Sequence, residues 1–257
     1  MKILAMEWLK TKRTPLRLIA WVTPLLASPA LLWYVGQRTV TAETPFWIYQ
    51  VVFQCWGAVV VPVGASLLPG LLAYEEETSG HFFGLLQSRI PRKKLYLGKL
   101  GMAFILAMAS TLLFIGLFLG GMALWLNVPI PWLAYLVGTM VLLVATLPLL
   151  ALYLWVSFAW GLGAALGLGG CGLLLAALMV TGLGEGVWFL IPWAWPPRLA
   201  GLVGFWLSPS PLGGSLPTGF ILTEISKGLF PALGVFLGLT NFGTRWFARW
   251  EGRAMYE

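Results

Sequence analysis

Residues 132–183 read WLAYLVGTMVLLVATLPLLALYLWVSFAWGLGAALGLGGCGLLLAALMVTGL and contain no charged side chain over 52 positions. An α-helix needs about 20 apolar residues to cross the roughly 30 Å hydrocarbon core of a membrane. The stretch is therefore too long for one crossing, and it predicts two transmembrane helices, 132–155 and 160–183. The tryptophans near the break, Trp155 and Trp160, would mark the membrane interface, where indole rings prefer to lie.

The composition of the whole chain is typical of a membrane protein. Of the 257 residues, 59% are hydrophobic and 10% are charged, which is too little charge for the surface of a soluble domain. The nine acidic residues are all glutamates, which leaves no spare carboxylate pair for acid–base catalysis. The net charge of +7 indicates basic loops that face anionic lipid or a protein partner rather than nucleic acid. Cys55 and Cys171 lie inside apolar runs and are expected to be small buried residues.

Six segments are long and apolar enough to cross the membrane: 16–36, 46–74, 97–126, 132–155, 160–183 and 228–247. The first segment follows basic residues and contains small ones, as a signal peptide does. Its basic region is long, however, and its apolar run has the length of a full crossing. We therefore expect a retained first helix. The predicted fold is an all-α integral membrane protein with six transmembrane helices in a single domain, 1–257.

The distribution of basic residues predicts the orientation, because lysine and arginine accumulate on the cytoplasmic side of membrane proteins. With both termini cytoplasmic, six crossings place thirteen of the sixteen basic residues on that side. The three on the outer side are Arg38, Arg198 and Lys227. We predict six crossings with both termini in the cytoplasm.

Residues 187–226 are predicted to form an outer re-entrant or interfacial hairpin before the last span. Their apolar part, 187–207, is nearly long enough to cross, but it contains three prolines that would interrupt a helix. A crossing would also place Arg198 near the membrane centre, at a cost of roughly 2.5–3.5 kcal/mol. A hairpin that packs on the bundle satisfies the backbone at lower cost.

The outer region also holds candidates for substrate contact. Its tryptophans would form either a recognition surface for peptide or lipid, or an aromatic belt at the interface. Its glutamate would meet a cationic substrate or pair with Arg198. The candidates are Trp188, Trp193, Trp195, Trp206 and Glu185.

The N-terminal residues 1–14 predict a helix that lies in the inner interface. Apolar residues recur at i, i+3, i+4 and i+7 from Met1 to Trp8, and bases such as Lys10 fall on the other side. Such a helix can place its bases near anionic headgroups. The alternative is an ordinary basic flank of the first span.

Much of the charge is concentrated in the loop 75–94, EEETSGHFFGLLQSRIPRKK, between the second and third spans. Its three glutamates are expected to end the second span and to occupy the first turn of a short helix, where negative charge suits the helix dipole. Phe82 and Phe83 are expected to be exposed to the cytosol. Paired aromatic residues surrounded by charge are typical anchors of protein interfaces, so we interpret the loop as a docking site rather than a charged connector.

The bases that follow the loop stand at an unfavourable place. Pro91 is expected to begin the third helix, which puts Arg92, Lys93 and Lys94 at the positive end of its dipole. Retention of positive charge inside explains part of this placement. Docking of an acidic partner would explain the rest.

The loop and the architecture around it resemble the permeases of type-2 ABC exporters. In sequence the resemblance covers about 75–99, and in architecture it covers the whole chain. The chain has Ser-Arg-Ile-Pro-Arg where the family usually has Pro-x-Ser-Arg. The matching positions are Glu76 or Glu77, Ser79, Gly80, Leu85, Leu86, Pro91, Arg92, Tyr96 and Lys99.

The resemblance implies that the loop is a coupling helix that seats on a separate ATPase subunit. Two ATPase subunits, which bind ATP and Mg, would move this chain and a second copy or a homologous permease between inward- and outward-facing states. The chain has no G-x-x-x-x-G-K-[ST] motif and no expected cofactor, catalytic or metal site of its own. The implied coupling interface is Glu76, Glu77, Thr78, Ser79, His81, Phe82, Phe83, Leu86, Arg89 and Arg92.

Within this family the chain is most similar to permeases of the bacterial inner membrane that protect against lantibiotics by removing amphipathic peptides. The alternatives are export of a drug or lipid, or a membrane assembly subunit that does not transport. A membrane enzyme is disfavoured by the single histidine. An ion-coupled transporter is disfavoured because, apart from two tyrosines and Cys171, no ionisable side chain lies between Lys99 and Glu185.

Overall fold

The computed structural model describes residues 2–80, 82–126, 128–208 and 217–253, and every regular element within these ranges is helical. A turn of π-helix, Trp56–Val60, joins α3 to α4, and a second, Met122–Leu126, extends α6. The α-helices are α1 Lys2–Lys10, α2 Pro15–Gly36, α3 Thr44–Cys55, α4 Val61–Thr78, α5 Phe83–Leu86, α6 Arg92–Gly121, α7 Trp132–Trp160, α8 Leu162–Val180, α9 Trp195–Leu207 and α10 Thr218–Arg249.

Six helical segments in the described ranges are long and apolar enough to cross a membrane, which confirms the predicted fold class. The last of them begins earlier than the predicted 228, at Thr218. Polar residues are included in this added length, and Lys227 Nζ lies 2.5 Å from Glu224 Oε1, an i,i+3 pair that favours the helix modestly. The six segments are Pro15–Gly36, Thr44–Thr78, Arg92–Leu126, Trp132–Trp160, Leu162–Val180 and Thr218–Arg249.

The short helix α1 packs against α6. Ile3 lies against Gly98, one residue before the buried Lys99, and a side chain at position 98 would collide with it. At the far end of α1, the guanidinium of Arg17 lies 3.9 Å from the centre of the Trp8 ring. The Ile3 contact holds α1 against the beginning of α6, where the charged loop joins the bundle, and the Arg17 contact fixes the end of α1 to α2.

The region between α8 and α10 is folded onto the bundle. It contains three turns of 3₁₀-helix, Gly182–Gly184, Trp188–Leu190 and Pro192–Ala194, followed by α9. Arg198 donates from Nε to the carbonyl oxygen of Met179 at 2.5 Å and from Nη2 to that of Thr181 at 2.6 Å. These carbonyls lie at the C-terminal end of α8, so the cation satisfies the negative end of that helix.

Both cysteines are exposed in the described chain, so the prediction that they are buried was wrong. Cys55 ends α3 and Cys171 lies in α8. A transmembrane helix needs apolar residues all around its circumference, because one face meets lipid and the other meets protein. An apolar run therefore does not show which of its residues face the core.

The uncharged stretch 132–183 is broken at Gly161, between α7 and α8. Gly161 has φ +92° and ψ 178°, a conformation open essentially to glycine alone. The Arg253 guanidinium also occupies the space into which a side chain at this position would project. Glycine therefore allows the chain to reverse direction within one residue.

We predict that Gly161→Ala lowers the free energy of unfolding by about 1–3 kcal/mol, because alanine is strained at this φ and ψ. The apparent melting temperature in detergent would fall accordingly. Gly163→Ala is the matched control, since Gly163 lies in the first turn of α8 with open space around it. Equal melting temperatures for the two variants would contradict the prediction.

Candidate functional site

One end of the bundle, which we call the basic end, collects four parts of the chain: α1, the loop 79–91, the first turns of α6 and the last turns of α10 followed by 250–253. Lys10 of α1 reaches Glu76, the last turn of α4. Arg92, the first residue of α6, reaches the carbonyl oxygen of Trp250 after α10. The helix ends on both sides of the loop thus contact elements distant in sequence.

The three glutamates just before the loop lie in the last turn of α4, which ends at Thr78, so they end the second span as predicted. The prediction that they also occupy the first turn of a following helix was wrong. The Thr78 hydroxyl donates to the Tyr74 carbonyl oxygen at 3.0 Å. The Ser79 hydroxyl donates to the backbone carbonyl oxygen of Glu75 at 2.6 Å. These bonds satisfy carbonyl groups that the helix end leaves without partners. Negative charge at this end opposes the helix dipole, and nearby cations are needed to offset it.

A charge cluster, formed by the buried Glu7 and Lys99, the mostly buried Glu76 and the half-exposed Lys10, joins α1, α4 and α6. Lys99 Nζ lies 3.1 Å from Glu7 Oε2 and 2.8 Å from Glu76 Oε1, and both the Lys99 and the Glu7 side chains are 2% exposed. Lys10 Nζ lies 2.7 Å from Glu76 Oε1. Each buried charge therefore has an opposite charge within hydrogen-bond distance, which is the condition under which burial is tolerated.

The half-exposed Lys10 is held in its charged form by this cluster. Partial burial by itself lowers the pKa of Lys10. The hydrogen bond to Glu76 and the negative charges of Glu76, Glu7 and Glu75 outweigh the burial, so the pKa is raised above the ordinary lysine value. Lys10 therefore stays protonated and keeps its bond to Glu76 at neutral pH.

The two phenylalanines of the loop have different environments. Phe82, at φ +66°, is 3% exposed, and its ring centroid lies 4.9 Å from that of Trp250 and 6.1 Å from that of Phe158. Phe83 is 62% exposed. The expectation that both are exposed was wrong for Phe82, because the left-handed turn at this residue directs its ring into an aromatic core.

The segment after α10 contacts the loop directly. Arg253 forms an ion pair with Glu77, and its guanidinium lies 5.5 Å from the centre of the Phe82 ring. Arg92 Nη1 donates to the carbonyl oxygen of Trp250 at 2.6 Å. Both predicted residues, Glu77 and Arg92, thus bind the chain's own C-terminal segment and are not free for a partner in this state.

The remaining residues of the predicted interface differ in exposure. Leu86 is half-buried, and His81 lies outside the described residues. Thr78, Ser79, Phe83 and Arg89 are exposed at the basic end. We call these four exposed residues the docking surface, since they are the predicted positions that a second protein could reach.

At the opposite end, the predicted tryptophans do not share one accessible surface. Trp188 and Trp195 are buried, and the half-buried Trp193 donates from Nε1 to the Tyr153 hydroxyl at 2.8 Å. Trp206 is 41% exposed. The exposed Glu185 forms no ion pair within the described chain. Of the five candidates, Trp206 and Glu185 are therefore the ones open to a ligand.

Residues 3–172 match the sequence model of the ABC-2 family transporter proteins. The chain belongs to the ABC-2 transporter family. The matched range contains the charge cluster and the docking surface, and the six apolar helices fit a multi-pass permease. ABC-2 permeases generally work with ABC ATPases, so a partner of that class is expected for this ABC-2 chain. Comparisons with curated proteins and with solved structures gave no match.

Sequence reasoning missed Glu7 in this ABC-2 chain. The signal available was a single acid within the basic segment MKILAMEWLKTKR, three residues before Lys10. A carboxylate in a helix that lies against anionic headgroups would be repelled by them, which indicates that Glu7 has another partner. Its partner Lys99 lies 92 positions away, so only the packing of α1 on α6 brings the two together.

We predict that Lys99→Met lowers the free energy of unfolding by about 3–5 kcal/mol, because the buried Glu7 would lose its hydrogen-bonded cation and keep only the half-exposed Lys10 at 3.8 Å. Thermal unfolding in detergent measures the change. Lys94→Met is the control, since Lys94 is an exposed lysine in the first turn of the same helix. A combined Glu7→Gln, Glu76→Gln and Lys99→Met variant is expected to recover part of the loss. Equal melting of the Lys99 and Lys94 variants would disprove the assigned role.

Proposed function

We propose that the chain is the transmembrane permease subunit of an ATP-driven exporter, and that the docking surface is its contact with a separate ATPase subunit. Family membership supports the class of protein. The observation that carries the coupling proposal is the exposed Phe83, held on a loop whose flanks are bound to several helices. An exposed aromatic residue and an exposed arginine, Arg89, on one short loop have the composition of a protein interface.

The loop is well placed to transmit force. Glu76 binds Lys99 of α6, Glu77 binds Arg253 after α10, and Arg92 binds the backbone at Trp250. A push on the docking surface would therefore act on the ends of α4, α6 and α10 together, because separation would break the buried Glu76–Lys99 pair and the partly exposed contacts to the segment after α10. Closure of the ATPase subunits on ATP and Mg would thereby displace the helices as a unit.

The proposed assembly contains two such ATPase subunits and a second permease, which is another copy of this chain or a homologue. We place the basic end and both termini in the cytoplasm of a bacterium, with the helices in its inner membrane. The charge distribution supports this orientation, since Arg38, Arg198 and Lys227 lie toward the opposite end.

The proposed substrate is a hydrophobic or amphipathic molecule of the lantibiotic type. The likeness of the loop to lantibiotic-immunity permeases supports this substrate class. The exposed Trp206 and Glu185 also support it, because an aromatic ring and a carboxylate suit a cationic amphipathic peptide.

We predict that Phe83→Asp reduces retention of the partner ATPase at least about tenfold in a pull-down, because loss of an interface anchor costs about 2 kcal/mol or more. Phe220→Asp is the matched control, since Phe220 is an exposed phenylalanine in the first turns of α10, at the opposite end. Normal ATPase retention by a correctly inserted Phe83→Asp chain would refute the coupling contact.

We predict that a cationic amphipathic peptide bound to proteoliposomes is released from their membrane only when the permease pair, its ATPase and hydrolysable ATP are all present. Glu185→Gln with Trp206→Ala should lower this ATP-dependent release several-fold while basal ATP hydrolysis stays unchanged. Release of a neutral drug or lipid, but not of the peptide, would replace the proposed substrate class.

A further inference from the structure

A groove with a cavity volume of about 1000 Å³ lies at the basic end, between α10 and the start of α6. Lys93 of α6 and Arg245 and Arg249 of α10 line it. It lies beside the docking surface but shares none of its residues. The volume is at the upper end of the range of about 300–1,000 Å³ found for ligand sites.

Among the residues that the structure describes, the three cations of the groove have no carboxylate partner. All three are exposed. Glu251 is the one acid among the described lining residues, so positive charge is in excess within that part of the chain. The neighbouring Arg92 differs because it binds the Trp250 carbonyl oxygen. Three like charges around one groove repel one another unless an anion lies between them.

The aromatic residues around the groove indicate its level in the membrane. Phe242, Trp246 and Trp250 line it, and the Trp155 ring centroid lies 5.3 Å from that of Phe242. Trp160 continues the group, 5.0 Å from Trp155. Indole rings concentrate where headgroups meet acyl chains. The cations of the groove therefore lie at headgroup level.

The groove continues into an apolar surface of α10. Gly238 lines its inner part, and Leu237 and Phe230 follow on the same helix with 59% and 73% exposure. This surface belongs to a segment long and apolar enough to span the membrane. A ligand with both an anionic head and hydrocarbon chains matches the groove and the surface together, whereas a cytosolic protein matches only the groove.

We propose that this groove binds the phosphate headgroup of an anionic phospholipid of the inner leaflet, with Arg245, Arg249 and Lys93 around the phosphate and the acyl chains along α10. Basic pockets on the cytoplasmic side of transmembrane helices suit such headgroups. The occupant is a lipid of the surrounding membrane, distinct from an exported substrate.

The test is native mass spectrometry of the full chain in detergent, titrated with phosphatidylglycerol and with phosphatidylcholine of identical acyl chains. We expect one tightly retained phosphatidylglycerol per chain and a preference of about tenfold or more over phosphatidylcholine. Arg245→Gln with Arg249→Gln should remove this preference. Lys12→Gln with Lys94→Gln, which removes two exposed cations outside the groove, should leave it unchanged.

A second variant and two further arms keep the outcomes distinct. If the double arginine variant does not fold, Lys93→Gln alone tests the site. Lys93 is an exposed residue of α6, and this substitution should weaken the preference for phosphatidylglycerol several-fold. Inorganic phosphate at millimolar concentration should not displace the lipid; displacement by phosphate would mean that the site takes the free anion. Loss of ATPase retention with unchanged lipid preference in the arginine variant would assign the groove to the protein partner. Either result, or equal lipid preference in all variants, would overturn the proposal.

Discussion

The ammonium group of Lys99 is the interaction on which the arrangement of the basic end depends. It lies almost without solvent contact between carboxylates from two other helices, Glu7 and Glu76. An isolated buried ammonium would be strongly unfavourable, and so would either carboxylate without it. The positions of α1 and of the end of α4 relative to α6 are therefore coupled, and neither helix can leave without exposing or orphaning a charge.

This coupling explains why the charged loop is a structured element rather than a loose connection. Glu76, before the loop, binds Lys99 of α6. Glu77 and Arg92, on the two sides of the loop, both bind the segment after α10. Phe82 fills the space between them, with its ring against Trp250. Phe83 is left on the outside as a consequence. The exposure of Phe83 and the burial of Phe82 thus arise from the same set of contacts.

The sequence predicts the all-α class and the number of candidate membrane spans well, because hydropathy over about 20 residues is a local property. It predicts the ends of these helices less well. Nothing near Glu76 in the sequence shows that Lys10, 66 positions away, will offset its charge and let α4 continue to Thr78. The burial of Phe82 likewise depends on a left-handed turn and on Trp250. The exposure of Cys55 and Cys171 depends on which helix face meets the core, which an evenly apolar run does not reveal.

The chain order of the charge cluster has a consequence for assembly of the protein during synthesis. Glu7, Lys10, Glu76 and Lys99 all precede residue 100, so their ion pairs can form once the third span has entered the membrane. Arg92 and Glu77 bind Trp250 and Arg253, which follow α10. These two contacts can therefore form only after α10 has been synthesised. Since N-terminal parts of a chain fold first, the first half of the bundle is expected to close early. The aromatic core around Phe82 would be completed last.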